Sequence, residues 1–295
     1  MKPVFEGVVT ALVTPFRDDR VDYDALGRLL ELQLAAGVDG VAPCGSTGES
    51  ATLTHEEHVA VVRFVVERVR GRVPVIAGTG SNSTAEAVAL TRAAKEAGAD
   101  AALLISPYYN KPTQEGIYRH YRTIAEQTRF PLILYNIPGR TGSKIEAETI
   151  ARLAELDEVV GLKEATGSLD EVQRVLSLCG DRLAVYAGDD ALALPILAVG
   201  GRGVISVISN VLPAEFGRAV RSALRGAWEE ARAEHFRLLP LMHALFLETN
   251  PIPVKALLSA MGICRDELRL PLVPMSDGPR KKLLEVARSV GVALP

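Results

Sequence analysis

Eight short apolar runs, separated by longer amphipathic stretches, constrain this chain more than any other feature of its sequence. The runs are almost continuously apolar, as strands covered on both faces of a parallel sheet are. They are Gly7–Phe16, Gly40–Gly45, Val73–Gly78, Ala101–Pro107, Pro131–Asn136, Val159–Thr166, Leu183–Asp189 and Gly203–Ser209. Eight strand-then-helix units in roughly 225 residues predict an α/β fold, a (β/α)8 TIM barrel. A doubly wound open sheet is the alternative, but the chain lacks the GxGxxG motif of many such sheets.

The helical stretches carry start signals, and the pattern changes near the end of the chain. Three capping boxes are predicted, in which a Ser or Thr precedes a Glu by three residues: at Thr54, Ser83 and Ser168. After Ala227 the strands stop, and we predict three helices at Trp228–Phe246, Pro253–Met261 and Arg280–Val290. We therefore predict a catalytic barrel over residues 1–227 and a C-terminal helical appendage over residues 228–295.

Composition excludes several classes of partner. The net charge is −3 and there is no basic block, so we expect no nucleic-acid or membrane partner. No apolar stretch reaches the roughly 18 residues of a membrane span. We expect the run Val8–Phe16 to be a first strand and not a signal peptide. Three widely spaced cysteines form neither a disulfide framework nor a metal motif, which favours a cytoplasmic location.

Lys163 is the most informative single residue, because it stands alone in the sixth apolar run. An ammonium is costly to desolvate, so burial favours the neutral amine, which is a nucleophile for carbonyl carbons. The residue could instead lie at a strand end with its amine in solvent. The run by itself leaves both interpretations open.

Polar residues also follow the second, fourth and fifth runs, where barrel enzymes carry their function. Glycines bracket two hydroxyls at Ser46 and Thr47, in a turn whose N–H groups could face a carboxylate. Tyr109 and Tyr135 could relay protons during imine formation, although tyrosines at strand ends are often only half-buried packing residues. Arg140 could bind a second carboxylate or be a solvated loop arginine.

Four of these segments together resemble the pyruvate-dependent class I aldolase superfamily, and more narrowly the dihydrodipicolinate synthase family. They are Gly45–Ser50, Tyr108–Pro112, Tyr135–Gly142 and Gly161–Thr166, and the resemblance extends to Asn250–Lys255. It implies condensation of pyruvate with L-aspartate 4-semialdehyde to 4-hydroxy-tetrahydrodipicolinate, in lysine and diaminopimelate biosynthesis. It also implies a homotetramer built as a dimer of tight dimers, with neither a metal nor an organic cofactor.

The resemblance assigns four catalytic residues. Lys163 would form the imine with pyruvate, and Tyr135 would relay protons and hydrogen-bond the substrate. Ser46 and Tyr109 would be its relay partners, with Tyr109 reaching in from the neighbouring subunit. The family usually has threonine where this chain has Ser46; serine keeps the hydroxyl but loses the methyl that restricts its rotamer.

Substrate-binding residues follow from the same match. The turn containing Thr47 would hold the pyruvate carboxylate, and Arg140 the carboxylate of aspartate semialdehyde. Gly188 and Ile205 would line the pyruvate pocket.

A second constellation resembles the lysine feedback site of inhibitable synthases. Its members are Ser50, Ala51, His55, His58, Asn82, Glu86 and Tyr108. Glu86 would pair with the ammonium of L-lysine, while Asn82 and Tyr108 would hold its carboxylate. Each residue also has a structural interpretation: Glu86 as the last member of a capping box, and the histidines as solvated surface residues.

Two other functions remain open at this stage. One is another Schiff-base aldolase of the superfamily, such as a keto-sugar acid aldolase or an N-acetylneuraminate lyase, the latter of which would share the serine at position 46. Arg140 disfavours such an aldolase, because the neutral polyol chain of its substrate would need no arginine. The other is a catalytically inactive barrel that binds a keto acid.

Overall fold

The computed structural model describes residues 3–294 and has the predicted (β/α)8 barrel. Its strands are β1 (Gly7–Ala11), β2 (Phe16–Arg17), β3 (Arg20–Val21), β4 (Gly40–Ala42), β5 (Ile76–Gly78), β6 (Ala101–Ile105), β7 (Leu132–Asn136), β8 (Val159–Glu164), β9 (Ala184–Ala187) and β10 (Gly203–Ser206). Eight of them form one parallel sheet in the order β4-β1-β10-β9-β8-β7-β6-β5. A parallel bridge between Val41 and Val75 joins the outer strands and closes the barrel.

The barrel strands lie where the apolar runs predicted them but are shorter, mostly at their carboxyl ends. The prediction of one strand over the whole first run was wrong beyond Ala11. The last residue of that run, Phe16, begins a two-stranded antiparallel hairpin formed by β2 and β3. Residues just beyond the strands, such as Val13, Ser106 and Ser209, are as deeply buried as the strands themselves. The apolar composition therefore continues past the last hydrogen-bonded residue of a strand. For this reason, strands predicted from the sequence alone come out too long.

Alternation along the strands divides the buried residues into two clusters. The inward-facing residues Val9, Leu103, Ile133 and Ile205 fill the barrel interior. Outward-facing neighbours pack under the helices in a second, larger cluster. Lys163 has the parity of the first set, so the alternation of β8 places it inside the barrel.

Twelve helices surround and extend the barrel within the described residues. They are α1 (Tyr23–Ala35), α2 (His55–Val69), α3 (Thr84–Glu96), α4 (Gln114–Thr128), α5 (Pro138–Thr141), α6 (Ala147–Leu153), α7 (Leu169–Cys179), α8 (Ala193–Ala198), α9 (Pro213–Leu224), α10 (Trp228–Ala244), α11 (Ile252–Ala260) and α12 (Asp277–Ser289). Among residues 3–294, no helix is both long and apolar enough to cross a membrane.

The capping boxes are only partly as predicted. At Thr54 both reciprocal hydrogen bonds with Glu57 are present. At Ser83 and Ser168 the hydroxyl accepts from the backbone three residues on, but the glutamate carboxylates bond elsewhere. The Glu86 carboxylate therefore does not cap the helix in the way that its structural interpretation required.

The helices after Ala227 are those predicted, to within about three residues at each end. Their residues Leu238, Leu257 and Leu283 belong to the same buried cluster as Val8 of β1. The division of the chain at residue 227 stays a prediction about its organisation.

Candidate active site

Lys163 lies inside the barrel with only 5% of its surface exposed. Strand register sets it beside Tyr135, and its Nζ is 4.3 Å from the centre of the Tyr135 ring. Desolvation lowers the pKa of Lys163 to about 8; Arg140 adds to this, and the buried carboxylate of Asp190 opposes it. The interpretation of Lys163 as a snorkelling strand-end residue is therefore wrong, and the lowered pKa gives the amine a much larger neutral fraction at physiological pH than an ordinary lysine has.

Tyr135 is buried on the neighbouring strand β7. Burial raises the pKa of its phenol to about 12, although Arg140 and a hydrogen bond with the Ser46 side chain both act to lower it. The phenol is protonated at neutral pH and can donate a proton or a hydrogen bond beside the Lys163 amine.

The turn after β4 places Ser46 and Thr47 beyond the carboxyl end of that strand. Backbone N–H groups of Gly48 and Glu49 bond back to Gly45 and Ser46, at 3.0 and 3.2 Å. The N–H groups of Ser46 and Thr47 have no hydrogen-bond partner within residues 3–294. Two adjacent free N–H groups suit a carboxylate, which is the arrangement that the sequence suggested.

Arg140 is at the rim, on the single-turn helix α5 that Pro138 starts. It is exposed, and its Nη2 donates to the backbone oxygen of Asn250 at 2.9 Å. That hydrogen bond holds the guanidinium at the edge of the site and leaves other N–H donors for a ligand.

Gly188 and Ile205 complete the interior around Lys163. A Cβ added at Gly188 would lie 3.2 Å from Lys163 Cε and 2.7 Å from Ala165 Cβ, so glycine leaves the room that the lysine occupies. Ile205 is fully buried among the inward-facing residues.

Tyr109 is the predicted catalytic residue that the single chain does not bring to the site. Its side chain is 88% exposed, and its backbone has a φ of +70° with the N–H bonded to Thr141. Left-handed backbone is uncommon for a tyrosine and needs a reason. A large aromatic side chain held out in this way fits a role in a neighbouring subunit, which stays a prediction.

Most of the predicted lysine-site residues line one cavity of about 420 Å³, which Ser46 and Tyr135 of the predicted catalytic residues also line. Its lining includes the active-site residues Ser46, Tyr135 and Arg140. It also includes a group that we call the second wall: Ser50, Ala51, His55, His58, Glu86 and Tyr108. Asn82 contacts this lining through its amide, which donates to the backbone oxygen of Tyr108 at 3.1 Å.

The electrostatics of this second wall are set by Glu86. Hydrogen bonds from Ser81 and His55 lower the pKa of Glu86, so that it is ionised at neutral pH. His55 Nε2 lies 2.7 Å from the Glu86 carboxylate. His58 is buried and its Nε2 bonds the Gly78 oxygen at 2.7 Å, so the surface interpretation is wrong for this histidine.

Sequence reasoning missed a buried ion pair beneath the Ser46 turn. The fully buried Nζ of Lys255 lies 2.6 Å from the Glu49 carboxylate and 3.0 Å from the Thr14 oxygen. Burial lowers the pKa of Lys255, while Glu49 opposes that shift and stabilises the ammonium. A lysine in the apolar segment before Ala256 was the available signal.

Asp190 and Asn250 were also missed. Asp190 follows the ninth strand, and its Oδ2 accepts from the N–H groups of Val207 and Ile208 at 3.0 and 2.8 Å. Burial raises its pKa to about 6. Asn250 contacts both Thr47 and Arg140. Both residues lie in segments with polar residues beside strand or helix ends, but nothing local indicates what they touch.

Fold and site together define a (β/α)8-barrel enzyme with a desolvated lysine at the centre of the barrel. A family model described as the dihydrodipicolinate synthetase family matches residues 4–289. The chain belongs to this family, and it is a lyase. The 4-hydroxy-tetrahydrodipicolinate synthase of Pelobacter propionicus is 51% identical over 289 residues, which cover 98% of this chain and 100% of that protein.

Solved structures agree over the same length. The dihydrodipicolinate synthase of Aquifex aeolicus has a TM-score of 0.97 at 48% identity, covering 98% of this chain and 99% of that one. The Acinetobacter baumannii enzyme, complexed with pyruvate, has a TM-score of 0.96 at 42% identity over 98% and 99% of the chains. The Cyanidioschyzon merolae enzyme, with lysine bound, has a TM-score of 0.96 at 42% identity over 99% and 100%.

Proposed function

We propose that this enzyme condenses pyruvate with L-aspartate 4-semialdehyde through an imine on Lys163, giving 4-hydroxy-tetrahydrodipicolinate. The observation that carries the proposal is the burial of Lys163, which lowers its pKa to about 8. At pH 7 about one tenth of such an amine is neutral, against about 3 in 10,000 for an ordinary lysine. The name of the Pelobacter propionicus relative and the pyruvate complex of the Acinetobacter baumannii enzyme support the same substrates.

The first half of the reaction activates pyruvate. The neutral Lys163 amine adds to the ketone carbon, and the resulting carbinolamine loses water to give the imine. The imine nitrogen withdraws electrons from the adjacent methyl, which then loses a proton to become an enamine. Tyr135, with Ser46 hydrogen-bonded to it, is placed to move these protons.

The second half forms the carbon–carbon bond. The enamine carbon attacks the aldehyde of the semialdehyde, whose oxygen takes up a proton. The amine of the same substrate then adds to the imine carbon and displaces Lys163, which closes the ring and frees the enzyme.

Substrate carboxylates are held at two places. The free N–H groups and hydroxyl of the turn containing Thr47 suit the pyruvate carboxylate, while Gly188 and Ile205 shape the space around Lys163. Arg140 at the rim suits the carboxylate of the semialdehyde, because guanidinium and carboxylate can bond bidentately.

Borohydride trapping tests the imine directly. Pyruvate with borohydride should label the wild type at one lysine, and peptide mapping should place the label on Lys163. Lys163→Ala should not be labelled. The matched control is Lys255→Met, which removes the other buried lysine and should leave the label in place. A label that maps to Lys255, or that persists in Lys163→Ala, refutes the mechanism.

We also propose that L-lysine inhibits the enzyme by binding at the second wall of the cavity. The ammonium of L-lysine would replace His55 as the partner of the ionised Glu86. Ser50, His58 and Tyr108 would surround the rest of the ligand. The lysine-bound Cyanidioschyzon merolae structure supports this proposal. Glu86→Gln should weaken inhibition by about tenfold or more, because it removes a charge-assisted contact worth about 1.5–3 kcal/mol. Wild-type activity that is unchanged by millimolar lysine would exclude the site.

We further propose a homotetramer assembled from tight dimers, in which Tyr109 completes the relay of the adjacent subunit. The exposed, left-handed Tyr109 supports this arrangement. Sedimentation velocity would measure the assembly, and a protein that is monomeric at assay concentration while fully active would contradict it.

A further inference from the structure

Asn250 connects the two groups that the proposed function assigns to substrate carboxylates. Its side-chain Nδ2 donates to Thr47 Oγ1 at 2.9 Å, and its backbone oxygen accepts from Arg140 Nη2 at 2.9 Å. The residue is 5% exposed and lines the same cavity as Ser46, Tyr135 and Arg140. It comes from the segment between α10 and α11, far along the chain from both partners.

The direction of the first hydrogen bond matters for the chemistry. A threonine hydroxyl has one hydrogen to donate and can accept on its oxygen. Because the Asn250 amide occupies the oxygen of Thr47, the hydroxyl hydrogen remains available for a ligand. An acceptor at position 250 would take that hydrogen itself.

Comparison with other buried asparagines separates this role from plain packing. Asn136 uses both ends of its amide, donating to Ile145 and Glu164 and accepting from the Ile145 N–H. Asn210 likewise donates to Ala11 and accepts from Val13.

Asn250 differs, because its Oδ1 is buried and has no hydrogen-bond partner in the described part of the chain. Leaving such an atom unpaired costs about 1–3 kcal/mol, so an amide kept only for the fold would be expected to use both ends. The contact with Thr47 is therefore the one hydrogen bond that the Asn250 side chain makes within the described residues.

We propose that Asn250 is a positioning residue, which holds the Thr47 hydroxyl with its hydrogen directed at the pyruvate carboxylate and fixes Arg140 at a set distance from it. The C-terminal region thereby sets the separation of the two substrate carboxylates. This inference rests on the proposed function. The side chain acts on Thr47 and the backbone on Arg140, so side-chain variants separate the two substrates.

The test measures the pyruvate concentration that gives half-maximal borohydride labelling, with no semialdehyde present. Asn250→Ala should raise it about tenfold, the equivalent of a lost hydrogen bond of about 1.4 kcal/mol. Asn250→Asp, which is nearly isosteric, should raise it at least as much, because a carboxylate takes the Thr47 hydrogen and repels pyruvate. The KM for the semialdehyde should change less than about threefold in Asn250→Ala, since the backbone oxygen remains.

A double-mutant cycle asks whether Asn250 acts through Thr47. Thr47→Val removes the hydroxyl, and in that background Asn250→Ala should add less than about twofold. Glu248→Ala is the matched control: this partly buried residue tethers the same segment to Ser276 without touching Thr47 or Arg140. It should leave the labelling concentration unchanged.

Three results would overturn the inference while the wild type is labelled normally. They are wild-type behaviour of Asn250→Asp, full additivity of Asn250→Ala with Thr47→Val, or an equal effect of Glu248→Ala. An unlabelled wild type would instead refute the proposed function itself.

Discussion

Replacing Lys163 with methionine should destroy imine formation and at the same time stabilise the folded protein. Burial lowers the pKa of this lysine from 10.5 to about 8. A difference of about 2.5 units at 1.36 kcal/mol each is a cost of roughly 3 kcal/mol for folding with the protonated lysine. The ring of Tyr135, 4.3 Å from Nζ, returns about 1 kcal/mol of that through a cation–π contact. Lys163→Met should therefore raise the free energy of unfolding by about 2 kcal/mol at pH 7.

The increase in the free energy of unfolding caused by Lys163→Met should become smaller as the pH rises. Below pH 8 both folded and unfolded chains are protonated at Lys163, so the wild type bears the full cost. Between pH 8 and 10.5 the folded chain loses the proton first, so wild-type stability rises relative to the variant. Urea unfolding at pH 7 and pH 10, at one protomer concentration, should show most of the difference at pH 7 and little at pH 10.

Lys255→Met is the matched control and should behave in the opposite way. It breaks a buried ion pair and leaves Glu49 without its cation, which costs about 3–5 kcal/mol. If Lys163→Met is also destabilising at pH 7, or if its effect does not change between the two pH values, then Lys163 is not held as a desolvated ammonium and the reasoning fails.

Three further predictions concern the reaction. The rate of pyruvate labelling should rise with pH and level off above a midpoint near pH 8, as the Lys163 amine loses its proton; a midpoint near the ordinary value of 10.5 would contradict the lowered pKa. Arg140→Ala should raise the KM for the semialdehyde by about tenfold to a hundredfold, for a lost charge-assisted contact, and change pyruvate labelling less than about threefold; equal effects on both substrates would contradict its assignment. Tyr109→Phe and Lys163→Ala should each be nearly inactive. Unfolding and refolding the two variants together should restore activity toward about a quarter of wild type, because about half of the dimers are then mixed and each mixed dimer has one complete site of its two. If no activity is recovered, Tyr109 does not act in the neighbouring subunit.

The barrel could be predicted from sequence because its evidence is local. Each strand is a short apolar run, and the spacing of eight runs leaves few other architectures. The position of Lys163 in such a run left both burial and a solvated strand end open, and the structure shows that the residue is buried. The ends of the strands could not be predicted, because loops such as the one holding Ser106 are buried as well and carry the same composition.

Glu86 shows where a correct local rule gives an incomplete answer. Its spacing from Ser83 predicted a capping box, and half of that box is present. The carboxylate instead bonds Ser81 and His55, the second of which is 31 residues away. Tertiary contacts of this kind compete with local capping at similar energies, so spacing alone cannot decide between them.

The sequence by itself determined the (β/α)8 architecture, the position of a lysine on its sixth barrel strand and the polar turns at the strand ends. Only the tertiary structure decided that Lys255 pairs with Glu49, 206 residues away, and that Asn250 reaches Thr47 across 203. The physical reason is that strands and helices follow from periodicity over a few residues. The cost of desolvating a polar group is instead offset by whichever partner the completed fold brings within about 3 Å, and sequence separation carries no information about that distance.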